Sequence, residues 1–289
     1  AQMKSITVTG STDLKITGAL DFADATSATA VDGTIDASEF TGKLNVTLGG
    51  TGDIVNITGG SAADTINMAA TLTSADTIDG GEGTDTLTMD AATLTTQFAK
   101  VSNVENITFN PSVADTAADI SKLPAGVEKL TLNISDDTDD GTKIAGSVTK
   151  ADGKLINIAR TVADDVSAGG DAAADDGAND GVTLAVTDTV DSTDNTLNLQ
   201  LSNIELTSAE KGIDSLDAST YETINITANA NATGTASGNE IAALTATLAT
   251  AVNVDGTGAF KTVLTGAKVT TFDASDLAGA LTLTAGSEK

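Results

Sequence analysis

Short segments of alternating apolar and polar residues follow one another along this chain, too closely spaced for crossover helices. Leu14-Lys15-Ile16, Leu44-Asn45-Val46-Thr47-Leu48 and Ile54-Val55-Asn56-Ile57 are early examples. Val104 to Phe109, Leu130 to Ile134, Val182 to Val186, Leu197 to Leu201, Ile224 to Ile226 and Leu281 to Leu283 continue the pattern, with Gly, Asp and Asn between them. A period of two bounded by turn residues reads as strand. The chain is therefore expected to be all-β. Two short helices are also expected, Ala91 to Val101 with Leu94, Phe98 and Val101 at helical spacing, and Val113 to Leu123. Their expected role is to cover the ends of β layers, where unpaired strand edges must be blunted.

Composition narrows the architecture. Only 2% of the 289 residues are aromatic, with no Trp and one Tyr. Thr, Ala, Val, Leu and Ile must fill the interior, which suits thin layers of small or β-branched side chains. Residues Thr34 to Thr47 also align without gaps on Thr271 to Thr284, sharing the unit Asp-Ala-Ser-x-x-x-Gly-x-Leu that begins at Asp36 and Asp273. A looser copy, Asp217-Ala218-Ser219-Thr220-Tyr221, leads into Ile224-Asn225-Ile226-Thr227. Degenerate copies of this kind point to stacked supersecondary units. The expected fold is an elongated, solenoid-like β-roll or β-helix with a few short helices. Residues 1–95 read as one domain and 96–289 as a Thr-rich β domain, with a further division near the Asp/Ala/Gly-rich stretch 163–181.

Most routes to chemistry are closed. With neither Cys nor His, the chain has no thiol or imidazole nucleophile, no soft-ligand zinc site and no disulfide framework. Forty-one acidic against 14 basic residues give a net charge of −27, which repels phosphate backbones and argues against nucleic-acid binding. The best apolar stretch, Ile241 to Val254, is broken by threonines and too short to span a bilayer, so no membrane insertion is expected. No signal-like segment opens the chain, and both ends read as cut from a longer protein. Paired carboxylates are too numerous to single out two for glycoside chemistry. No nucleophile elbow, P-loop or dinucleotide fingerprint is present. A non-enzymatic role is expected. Asn-x-Thr triplets such as Asn106-Ile107-Thr108 and Asn225-Ile226-Thr227 read as strand motifs rather than modification sites.

Two glycine-aspartate loops carry the remaining signal. They are Gly59-Gly60-Ser61-Ala62-Ala63-Asp64 and Gly80-Gly81-Glu82-Gly83-Thr84-Asp85, each followed at once by a strand-like segment. This is the nonapeptide pattern G-G-x-G-x-D-x-U-x, in which a tight turn offers carbonyls and one carboxylate to calcium. Four consecutive turns can be written, Gly49 to Asp53, Gly59 to Asp64, Ala69 to Asp76, and Gly80 to Asp85. In a two-sided roll alternate turns share an edge, so the second and fourth sit side by side. One Ca²⁺ between them would take the Asp64 and Asp85 carboxylates and turn carbonyls, with Gly60, Ser61, Gly81 and Glu82 counted in the metal set. A second ion would use Asp53 and Asp76. The acidic runs Asp136 to Gly141 and Gly170 to Gly181 are also oxygen-rich, and at least one is expected to bind calcium. Neither has the order of an EF-hand.

These loops resemble the RTX nonapeptides of Gram-negative proteins exported by type I secretion. The Asp36 and Asp273 units and the Val104-Glu105-Asn106-Ile107 type of strand resemble the calcium-binding surface-layer branch of that group. The loop motif covers about residues 49–90, and the sparse nonapeptides favour a lattice-forming β domain with embedded sites over a pure calcium roll. The resemblance implies secretion through a C-terminal signal, folding outside the cell on meeting calcium, and assembly with copies of itself into a two-dimensional lattice on the bacterial surface. It also implies anchoring on lipopolysaccharide through a region outside this segment. The alternative is a calcium-rigidified repeat region of a large secreted RTX adhesin. A β-helical polysaccharide-acting enzyme is a third reading, and the near absence of aromatic stacking platforms weighs against it.

Overall fold

The computed structural model describes residues 3–22, 30–50, 52–90, 97–109, 116–134, 144–149, 154–160, 182–188, 195–202, 204, 213–230 and 238–286. The stretch 163–181 and the run Asp136 to Gly141 lie outside the described residues. The chain forms two compact units, Ala1–Asn110 with Ser121–Leu130, and Pro111–Ile120 with Thr131–Lys289.

The first unit is a parallel two-sided solenoid. Its strands are β1 (Ser5–Thr7), β2 (Leu14–Leu20), β3 (Gly33–Asp36), β4 (Leu44–Leu48), β5 (Val55–Thr58), β6 (Thr65–Asn67), β7 (Thr77–Asp79), β8 (Thr86–Met89), β9 (Val101–Ser102) and β10 (Asn106–Phe109). Odd strands pair in the order β1-β3-β5-β7-β9 and even strands in the order β2-β4-β6-β8-β10, every pair parallel. Each coil gives one strand to each sheet. The register explains how small residues make a core. Ile35, Ile57 and Ile78 stand in one row, and Val46, Ile66, Leu87 and Ile107 in the other; all are buried. Each such side chain contributes about 1.5–3 kcal/mol by leaving water. The alternate positions Asn45, Thr65, Thr86 and Asn106 form a half-buried polar row on the outer face.

The second unit repeats the logic with β11 (Thr116–Asp119), β13 (Ile144–Thr149), β14 (Leu155–Arg160), β15 (Val182–Thr187), β16 (Thr196–Ser202), β17 (Ile213–Asp217), β18 (Thr223–Ala228), β19 (Gly238–Thr245), β20 (Ala251–Asp255), β21 (Ala259–Thr265), β22 (Thr271–Asp273) and β23 (Leu281–Ala285). Strand β12 (Lys129–Ile134) spans the division between the units. Here the order is β11-β13-β15-β17-β19-β21-β23 for one sheet and β14-β16-β18-β20-β22 for the other strands. Leu199, Ile226 and Val254 form a buried row. Beside it, Asn253 Nδ2 donates to Asn225 Oδ1 at 2.9 Å, and Asn225 Nδ2 to Asn198 Oδ1 at 2.9 Å. The amide ladder satisfies donors and acceptors from coil to coil.

The repeated Asp-Ala-Ser unit is a half-coil corner. Asp36 Oδ1 accepts the Ser38 N–H at 3.1 Å, Asp217 Oδ1 that of Ser219 at 3.0 Å, and Asp273 Oδ1 that of Ser275 at 2.9 Å. An aspartate that captures the backbone two residues on turns the chain out of a strand. The residue four positions after each aspartate closes the corner, as Phe40, Tyr221 and Leu277 donate their N–H to the carbonyls of Ala37, Ala218 and Ala274. Phe40 and Tyr221 are fully buried. The same corner joins β3 to β4 in the first unit and β22 to β23 in the second, so it is indifferent to which sheet it leaves.

Neither expected α-helix is present among the described residues. Residues Val113 to Leu123 contain β11 and a single 3-10 turn, Ile120–Lys122. Within Ala91 to Val101, residues 91–96 lie outside the described residues, 97–100 form turns, and Val101 opens β9. Val101 stands opposite Ile78 in the parallel register, and pairing onto the solenoid outweighs a local 3.6-residue spacing. The apolar stretch Ile241 to Val254 is the end of β19, a turn and most of β20. Among the described residues no helix is long and apolar enough to cross a membrane.

Candidate metal centre

The coil geometry brings the two glycine-aspartate turns together. Each leads from an odd to an even strand, the first from β5 to β6 and the second from β7 to β8. Because β6 pairs with β8 in parallel, the turns lie one on the other. Glu82 N–H donates to the Gly60 carbonyl at 2.9 Å, and Asp64 N–H donates to Asp85 Oδ1 at 2.7 Å. Ser61 N–H meets the Phe40 carbonyl of the preceding coil at 3.0 Å. Glycine is required where the backbones close. A Cβ on Gly59 would lie 1.9 Å from the Gly80 carbonyl oxygen, and one on Gly81, with φ +97, would lie 2.2 Å from that of Gly60.

The buried aspartates act first as cross-coil caps. Asp64 is 1% exposed. Its Oδ1 accepts the Leu44 N–H of the coil before it at 2.8 Å, and its Oδ2 accepts the Gly60 N–H of its own turn at 2.7 Å. Asp85 repeats the first contact on Asp64, and Glu105 Oε2 repeats it on the Asp85 N–H at 2.8 Å. At the other end of the coil, Asp76 Oδ1 takes the Val55 N–H at 2.8 Å, while its Oδ2 takes the Thr73 N–H at 2.7 Å and hydroxyl at 3.0 Å. Asp53 Oδ2 takes the Phe22 N–H at 3.1 Å. The hydrogen bonds thus pin Asp53 and Asp76 to different neighbours. Among the described residues no three acidic side chains converge on one metal position, so any cation here must also draw on carbonyl oxygens.

One oxygen in this ladder has no donor. Asp85 Oδ2 is buried and without a hydrogen-bond partner. The Gly60 N–H that serves Asp64 has its counterpart in Gly81, yet Gly81 N–H points to Asp79 Oδ1 at 3.1 Å. The same Asp79 oxygen accepts Asn103 Nδ2 at 2.7 Å. Asp79 stands in register with Thr58 of the coil before, so a carboxylate at this row position supplies the competing acceptor that the first turn lacks. A Cβ on Gly80 would meet the Asn103 carbonyl oxygen at 1.8 Å and Asp85 Oδ2 at 2.6 Å. Gly59 has the same neighbours one coil earlier, the Gly80 carbonyl oxygen and Asp64 Oδ2, but there the carboxylate oxygen holds the Gly60 N–H, whereas Asp85 Oδ2 holds none. An orphaned carboxylate oxygen beside a carbonyl fits a hard, oxygen-seeking cation such as Ca²⁺.

Electrostatics agree. Burial pushes the Asp85 carboxyl up to about 6 from 3.8; its hydrogen bond from Asp64 N–H opposes the rise, and the charges of Asp64, Glu105 and Asp79 reinforce it. A carboxyl that titrates higher in the folded than in the unfolded chain penalises folding when ionised. The penalty stands above about pH 6, is relieved as pH falls through that value, and is gone by pH 3.8. In chelator, Asp85 should therefore make the first unit more stable at pH 5 than at pH 7.5. Comparing that pH difference between wild type and Asp85→Asn checks it; an equal difference in both refutes the assignment.

Glu105, Asp79 and Asn103 are not in the metal set read from the sequence, where Glu105 stands only as part of a strand unit. The signal for Glu105 was its offset of 20 residues from Asp85, nearly the 21 that separates Asp85 from Asp64. The glycine pattern does not reach it. Comparison of the chain with family models, with curated proteins and with solved structures finds no match.

Proposed function

We propose that this protein is a structural component of a calcium-dependent bacterial surface layer, which assembles with copies of itself into a two-dimensional lattice outside the cell. On this reading the chain is exported by type I secretion, folds on meeting calcium, and is anchored to lipopolysaccharide by a region outside this segment. The observation that carries the reading is the donorless Asp85 Oδ2, buried among carboxylates at stacked glycine-aspartate turns. A −27 chain gains from a cation that relieves charge buried between its coils. Parallel faces carrying half-buried Thr and Asn rows suit a scaffold, and no catalytic role is proposed for any residue.

At about 1 mM calcium and a Kd of about 0.1 mM, one site contributes on the order of 1.4 kcal/mol. Chelation should lower the melting midpoint by roughly 3–6 °C per site, and added calcium should restore it. Calcium should also drive the protein into ordered sheets visible by electron microscopy. Superimposable melts with and without chelator would sink the calcium reading. A calcium-dependent melt with monodisperse particles throughout would sink the lattice and favour an adhesin stalk.

A further inference from the structure

We infer that the cation sits forward of the second loop, held by Asp85, the Asn103 carbonyl and Glu105, rather than between the two glycine-aspartate loops. The inference rests on the calcium reading and assigns the site to a turn, 103–105, that has no glycine motif. Each oxygen of Asp64 already holds a backbone N–H, at 2.8 and 2.7 Å. Asp85 has one N–H on Oδ1 and nothing on Oδ2. That free oxygen and the Asn103 carbonyl converge over Gly80. Asn103 is held in position by its own side chain on Asp79 and by a left-handed backbone, φ 50. Glu105 adds the second charge, because its Oε2 already touches the Asp85 N–H at 2.8 Å.

Two carboxylates and a carbonyl, with water completing the shell, make an all-oxygen set for Ca²⁺ rather than for a softer metal. The two loops share their glycine pair and aspartate but differ at the three residues between and in backbone, Gly81 and Gly83 having φ +97 and +121. Asp79 holds the Gly81 N–H, the counterpart of the Gly60 N–H that serves Asp64. Asp79 thus acts as a positioning residue that keeps Asp85 open.

Calorimetric titration of the chelator-treated full chain with calcium chloride, together with melts, tests the placement. Asp85→Asn sets an amide donor where Oδ2 lies, facing the Asn103 carbonyl. Its calcium-free melting midpoint should rise above wild type, and one binding site should disappear. Glu105→Gln keeps an acceptor for the Asp85 N–H but loses the charge; its calcium-free melt should hold while Kd weakens at least about tenfold. Asp64→Asn should keep the site. Loss of the site in Asp64→Asn with Glu105→Gln unaffected would overturn the placement and return the ion to the gap between the loops. An unchanged site count in Asp85→Asn would also overturn it while leaving calcium dependence intact. A wild-type chain that takes up no calcium would remove both this placement and the calcium reading.

Discussion

Replacement of Asp64 by alanine is expected to destabilise the first unit by about 2–5 kcal/mol, in calcium and in chelator alike. The carboxylate satisfies two backbone donors at once, Leu44 N–H on the preceding coil and Gly60 N–H in its own turn. Both contacts are buried, and each donor left without an acceptor costs about 1–3 kcal/mol. Water entering the cavity would recover part of that loss. The urea midpoint should fall without a change in slope, since the surface exposed on unfolding is the same. A loss of less than about 0.5 kcal/mol, within the range of ordinary surface substitutions, would show that the cap is dispensable. Equal and large losses in both media distinguish a structural cap from a metal ligand, whose loss would appear only in calcium.

Phe40→Ala and Tyr221→Ala should each cost their own unit about 3–5 kcal/mol. Both rings are buried, 2% and 0% exposed, at equivalent corners of the coil, and each closes the turn through its N–H. Leu277 occupies the same place in the third copy but is only half-buried, so Leu277→Ala should cost clearly less. Equal losses at all three positions would mean that the corner is held by its Asx turn rather than by the buried plug. The contrast ties the sequence repeat to packing and not to turn chemistry alone.

Much of this architecture was legible in the chain because a two-sided solenoid is written in local code. Alternation at Leu44 to Leu48 or Leu197 to Leu201 specifies which side chains face inward, and a glycine or an aspartate four or so residues on specifies the corner. The gapless match between 34–47 and 271–284 is one such half-coil, used twice. The helical reading of Val113 to Leu123 failed because spacing within one segment says nothing of the strand waiting beside it. Apolar residues three or four apart suit a helix in isolation, but an unpaired strand edge offers backbone hydrogen bonds that a short helix cannot match.

The loops divide in the same way. Sequence alone determined that residues 59–64 and 80–85 are tight glycine turns, each ending in an aspartate before a strand, and that alternate turns of a roll share an edge. The tertiary structure decided what each aspartate does. The loops share a glycine pair and an aspartate but not the three residues between, and Asp79, in the row that Thr58 occupies one coil earlier, accepts the Gly81 N–H whose Gly60 counterpart goes to Asp64. Both oxygens of Asp64 hold an N–H while Asp85 Oδ2 holds none, and Glu105 and the Asn103 carbonyl come to Asp85 from a turn without any glycine signature. Motif reading compares residues along the chain, whereas cation affinity depends on which donors and acceptors the neighbouring coil places within about 3 Å.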